Sequence, residues 1–324
     1  MLKTIGTAGL AAIALMSAET APAQKAQKAQ KAQKAPGERA QVEDIVVTGR
    51  RSGAPMWIVR SDATTLVLVG GINGVSKTTH WDPAALTEAL RKADRVMFPQ
   101  SYALTASPFR AIGWVVKWNK MGSLPKGQSL SAIAGPQAMR RLAALRARNM
   151  VQADYDRRHP LHLSMNLRDR GKGDIDYGRD VAEYARNAAK KHKLAEVVPI
   201  QRSKAKPVVK DLFASTPQEH LPCLEASLTM AEAGPAAVQA RSDAWAARRV
   251  RDVLASPADP VYERCWPSGV FAEREVELLP QMKQLLAEPQ VTMAVLSLRT
   301  LAEQGGLLDG LEAAGFDIQG PAWK

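Results

Sequence analysis

The chain has 324 residues, 46% of them hydrophobic and 23% charged, enough to bury a substantial core, and it carries a formal net charge of +12. That balance invites a nucleic-acid or membrane reading, but residues 24–51 alone hold seven basic and three acidic side chains, about a third of the excess. Two cysteines are too few for a four-ligand zinc site without histidine partners, and no Gly-x-Ser-x-Gly, Walker-type loop or HExxH is present.

Met1–Ala23 reads as a secretory leader: Lys3 at the positive end, an apolar core from Ile5 to Met16, and Ala21-Pro22-Ala23 as a small-x-small cleavage site. The apolar core is shorter than the roughly 20 residues a bilayer-spanning helix needs. The expectation is a periplasmic or secreted protein with no transmembrane segment in the mature chain. Gln24–Lys34 repeats with a period of three, which matches no helical face, and reads as a solvated linker or a weak cationic tether. Residues 24–52 are therefore expected to be a basic linker or arm, with one folded domain over 53–324. The segment Glu43–Arg51, EDIVVTGRR, resembles a short stretch near the mature start of TonB-dependent receptors. It reads as an edge strand or extended arm, because the rest of the chain lacks a barrel's alternating strands.

Residues 56–60 and 65–70 are predicted to pair as strands across the turn Ser61-Asp62-Ala63. Asp82 is placed as the N-cap and Pro83 as the first residue of a helix. Ala85, Leu86, Ala89, Leu90 and Ala93 supply its apolar stripe, and Val96–Phe98 follows as a strand. Strand–helix–strand units of this kind normally close with parallel strands. Trp114 and Trp118 are expected to pack on the core, or, if exposed, to form a platform for carbohydrate or peptide. Gly135-Pro136 is predicted to open a helix running through Ala153, with Arg140, Arg141, Arg146 and Arg148 on a solvated face. His159 and His162 are weighed as a ligand pair, but Pro160 lies between them and no carboxylate has companion spacing.

Further helices are predicted over Tyr177–Lys193, Gln218–Ser256 with a break at Gly234-Pro235, and Phe271–Glu288. Ala195–Ile200 and Val291–Leu296 read as strands, followed by a helix over Leu307–Ala314, a left-handed Gly315 and a last strand, Phe316–Ile318. Lys190–Lys210 carries seven basic residues against Glu196 but no interleaved aromatic, so no nucleic-acid partner is expected. Cys223 and Cys265 are either a disulfide or two buried thiols. The fold class is α/β (α+β): a central sheet built from N- and C-terminal strand–helix–strand units, with a largely helical middle.

The stretch Leu66–Gln100 resembles the first half of the TraB/GumN family, whose first strand ends in Gly-x-x-His and whose second ends in Glu. The C-terminal run VTMAVLSLRTLAEQGGLLDGLEAAGFDIQGP resembles the family's second Gly-x-x-His strand and its closing helix. Ser242–Ala246 is similar to the Trp-bearing helix that members carry between two cysteines, which implies the Cys223–Cys265 pairing. The resemblance spans roughly residues 55–323. It implies a site where two histidines and a carboxylate hold a metal or move protons for hydrolysis. This chain has Gly70-Gly71-Ile72-Asn73 at the first motif, Pro99 at the glutamate position, and Ser297 and Thr300 at the second motif.

The resulting expectation is a protein without the family's metal-dependent hydrolase activity and without a cofactor, which binds an envelope ligand or partner. Its ligand pocket is expected at Gly70, Gly71, Asn73, Gln100, Ser297 and Thr300, where the two strand ends approach. The alternatives are a peptide- or ester-directed hydrolase using other residues such as His80, Gln100 or Asp82, with His80 as the substitute in the adjoining loop, or an exopolysaccharide-related role.

Overall fold

The computed structural model describes residues 53–98, 108–176, 181–197, 205–263, 265 and 278–324, all within one compact unit, Ile45–Lys324. The leader, the linker and the EDIVVTGRR segment lie outside the described residues, as do Pro99 and Gln100.

Strand β1 (Met56–Arg60) and β2 (Thr65–Gly71) pair antiparallel, Met56 opposite Val69 and Arg60 opposite Thr65. Ser61 closes the turn, its hydroxyl accepting from the backbone N–H of Thr64 at 3.1 Å. Every residue of β2 is buried, which is what its unbroken apolar run demands of a strand covered on both faces. A short β3 (Val75–Ser76) leads to α1 (Ala84–Lys92), which starts one residue later than the sequence suggests. Asp82 still serves that end, Oδ1 accepting from the N–H of Ala84 at 2.9 Å. Leu86, Ala89 and Leu90 face the core, and β4 (Arg95–Met97) follows.

The middle of the chain is helical. Helix α2 (Pro108–Met121) precedes α3 (Leu130–Ala147), which begins before Gly135-Pro136 and stops well short of Ala153. Ser129 caps α3, and Gly135, at φ +76°, bends it immediately before Pro136. The arginine face of α3 is not wholly solvated: Arg141 donates to both carboxylate oxygens of Glu232 at 2.7 Å, stitching α3 to α7 (Leu221–Ala233). Helix α4 (Pro160–Gly171) starts at Pro160, capped by His159, and β5 (Ile175–Asp176) pairs with β3. Next come α5 (Val181–His192), β6 (Ala195–Val197) and α6 (Ala205–Ala214). Leu130, Leu142, Leu145, Leu163, Leu167, Leu224 and Leu228 from α3, α4 and α7 form a second core beside the sheet.

Gly234 ends α7, and α8 (Pro235–Ala246) begins at once. Two short helices follow, α9 (Val250–Ala255) and α10 (Asp259–Glu263), then α11 (Leu278–Ala287). The chain closes with β7 (Thr292–Ser297), α12 (Leu298–Ala302), α13 (Leu307–Ala313) and β8 (Asp317–Gln319). The main sheet runs β6-β4-β7-β2-β1-β8. Strand β7 inserts between β2 and β4, parallel to both, so the first strand–helix–strand unit is split by a strand from the far end of the chain. Strand β8 goes to the opposite edge, antiparallel to β1. Among the described residues no helix is long and apolar enough to cross a membrane. Cys223 and Cys265 form a disulfide, with Cα atoms 5.5 Å apart, that ties α7 to the end of α10.

Candidate functional site

The carboxyl ends of β2 and β7 lie side by side, Gly70 opposite Leu296 and Gly71 opposite Ser297. Close packing here excludes a side chain at residue 70: a Cβ on Gly70 would stand 2.6 Å from Leu298 Cδ1 and 3.2 Å from the Trp57 ring. The carbonyl of Gly70 accepts from the indole N–H of Trp245 at 2.9 Å. Trp245 is fully buried on α8, and the helical spacing Val238, Arg241, Ser242, Trp245 turns one stripe of that helix to the strand ends. Ser242 accepts from the N–H of Ser76 at 3.0 Å and so fixes the backbone just past Asn73.

The polar members of this stripe build the corner. Arg241 is buried and donates from Nε to Asp259 at 2.9 Å, from Nη1 to the carbonyl of Asn73 at 3.0 Å, and from Nη2 to Glu263 at 2.7 Å. Its guanidinium also lies 5.3 Å over the Tyr262 ring. Glu263 Oε1 accepts the backbone N–H of Asn73 at 2.8 Å. Its Oε2 accepts the Asn73 side-chain amide and the Ser297 hydroxyl, each at 3.1 Å. Arg299 of α12 donates to Asp259 at 2.8 Å and to Glu303 at 3.2 Å. Two guanidiniums thus meet the carboxylates of Asp259 and Glu263, and Arg299 reaches outward to a third, Glu303.

Burial pushes the Glu263 carboxyl above the ordinary glutamate value, with Asp259 adding to the rise, while Arg241, Asn73 and Ser297 pull it back. Burial lowers Arg299, but Asp259 and Glu303 outweigh it and hold that guanidinium above its ordinary value. A buried charge set of this kind requires good geometry and filled hydrogen-bonding positions. Both oxygens of Glu263 have donors, so its lone pairs are committed within the protein.

The positions singled out in the sequence separate into groups. Gly71 and Ser297 are register partners, and Asn73 and Ser297 share Glu263. Thr300 is buried on α12, one turn after Ser297. His80 is exposed in the loop before α1, and the Glu263 hydrogen bonds run to Asn73, Arg241 and Ser297. His159 and His162 sit at the start of α4: their rings stand 6.5 Å from each other, and His159 Nδ1 accepts the N–H of Leu161 at 3.3 Å. The sequence reading missed Arg241, Asp259, Glu263 and Arg299. One signal was available: Arg241 interrupts the buried stripe of an Ala-rich helix, where an arginine needs carboxylate partners.

The donor set does not fit the metal that the family resemblance implies. The matching side chains are a neutral amide and two hydroxyls, and Glu263, the carboxylate that reaches Asn73 and Ser297, is already held by Arg241. Among the described residues no three His, Cys, Asp or Glu side chains stand together so as to hold a metal ion.

Comparison with curated proteins and with solved structures returns no match. The model of the TraB/PrgY/gumN family matches residues 55–320, from the start of β1 to the end of β8. That span is most of the chain, and the protein belongs to the TraB/PrgY/gumN family.

Proposed function

We propose that this family member is exported and works as a ligand- or partner-binding protein of the cell envelope, having given up the metal-assisted hydrolysis suggested for its relatives. The observation that carries the reading is Glu263, whose two oxygens are taken by Asn73, Ser297 and Arg241 at the strand ends. A carboxylate so engaged has no free lone pair to offer a metal-bound water, and Asn73 has no titration near neutral pH. The leader-like Met1–Ala23 and the Cys223–Cys265 disulfide support an oxidising compartment. The exposed Asn73 gives the corner a polar surface at the place where open α/β sheets receive ligands.

A hydrolase using other residues has one observation in its favour, the buried carboxylate of Glu263 held against the strand ends, where burial favours its protonated form. Acting as a base, however, Glu263 would have to release Asn73 or Ser297 first. The test is to assay the purified mature chain, with and without added zinc, against mixed peptide and ester substrates. No metal-stimulated turnover is expected. Turnover abolished by Glu263→Gln would overturn the reading.

A further inference from the structure

Helix α2 carries apolar side chains on two opposite faces. Trp114, Trp118 and Met121 recur at i, i+4 and i+7 and are half-buried, and Trp118 stacks on His162 with ring centroids 4.1 Å apart. That stripe seats the helix. On the other side Ile112, Val115 and Val116, at i, i+3 and i+4, are 61%, 58% and 47% exposed, and they are the exposed large hydrophobic side chains among the described residues. This second apolar stripe is exposed rather than packed into a core among the described residues.

The charge on the same helix is one-sided. Pro108–Met121 contains Arg110, Lys117 and Lys120 and no Asp or Glu. Lys117 and Lys120 are exposed one turn apart, alongside Val116, and Lys117 reaches over the Phe213 ring of the neighbouring α6 at 5.8 Å. A second copy docking through this face would set like charges against each other with no carboxylate on the helix to offset them. Three aliphatic side chains also supply far less area than the ~1,200 Å² of a stable protein interface. Aliphatic side chains bordered by lysines do match the boundary of an anionic bilayer, where methyl groups enter the acyl region and ammonium groups meet the headgroups.

We propose that α2 is a membrane-surface docking helix, bedding Ile112, Val115 and Val116 into an anionic bilayer with Lys117 and Lys120 on its phosphates. The protein would then ride on the membrane face without crossing it.

The test is co-sedimentation of the purified chain with phosphatidylglycerol–phosphatidylethanolamine vesicles and with phosphatidylcholine vesicles. Wild type is compared with I112S/V115S/V116S and K117E/K120E, each first shown to melt like wild type. The expected result is selective binding to the anionic vesicles, weakened at least about tenfold in both variants. Wild type failing to bind, or binding both vesicle types alike, would overturn the proposal. Undiminished binding by I112S/V115S/V116S would assign the attraction to other basic segments and overturn it too. An α2-dependent dimer in analytical ultracentrifugation, formed without vesicles, would give the face to a second copy instead.

Discussion

Glu263 grips Asn73 twice, taking its backbone N–H at 2.8 Å and its side-chain amide at 3.1 Å. This contact places a residue of α10 across the ends of β2 and β7, and Arg241 neutralises the carboxylate from behind.

Arg241→Ala would leave Asp259 and Glu263 buried without their shared cation. The expected loss is about 3–5 kcal/mol in denaturant unfolding, the usual cost of removing one partner of a buried pair. Glu263→Gln keeps the shape and part of the hydrogen bonding, so it should lose about 1–3 kcal/mol. A smaller loss for Arg241→Ala than for Glu263→Gln would show that the guanidinium is not the hub of the network.

The disulfide lies two residues beyond Glu263 and joins it to α7 across a sequence separation of 42. Replacing Cys223 and Cys265 with alanine should cost about 2–4 kcal/mol. Because the bridge tethers α10, amide exchange at Asn73 should also quicken in the variant. Unchanged exchange at Asn73 would separate the bridge from the corner.

Stability should fall in acid through the histidines of the helical region. Burial, reinforced by His220 and His162, lowers His159 to about 4. Burial likewise lowers His162, next to Arg158, and His220, where Glu219 opposes the shift. A folded-state value below the unfolded 6.5 means that the fold prefers the neutral ring. The stability this contributes is complete above about 6.5 and is lost as pH falls toward about 4. His159→Asn keeps a side chain able to cap α4 and removes the titration, so it should reduce the loss over that window by on the order of 1–2 kcal/mol. Parallel curves for wild type and His159→Asn would refute the assignment.

Export should remove the leader. Mass spectrometry of the protein recovered from the periplasm or medium is expected to find a mature N-terminus at Gln24, just after Ala21-Pro22-Ala23. A full-length, cytoplasmic product would contradict the envelope location.

The sheet was legible where local pattern and burial agree. The apolar run of β2 and the stripe on α1 announce themselves, as does the pairing of residues 56–60 with 65–70, because a tight turn sets that register. The place of β7 between β2 and β4 was not legible in its own residues, since that order depends on contacts more than 190 positions apart in sequence. Helix α3 also misled, because Gly135-Pro136 looks like a start and is instead a bend inside a helix capped earlier, at Ser129. At the corner, Asn73 and Thr300 stand where the family resemblance leads one to expect histidines. The buried charge set beside them was hidden, because Asp259 and Glu263 are ordinary surface residue types until Arg241 pairs with them inside.

In the proposed function an amide, a hydroxyl and a guanidinium-bound carboxylate close this corner and leave it unable to hold a catalytic ion. Elemental analysis of the purified, chelator-free mature protein tests this most directly. The account predicts transition metal far below one equivalent, unchanged by Asn73→Ala. A stoichiometric zinc-like ion that is lost on Asn73→Ala or Glu263→Gln would contradict it.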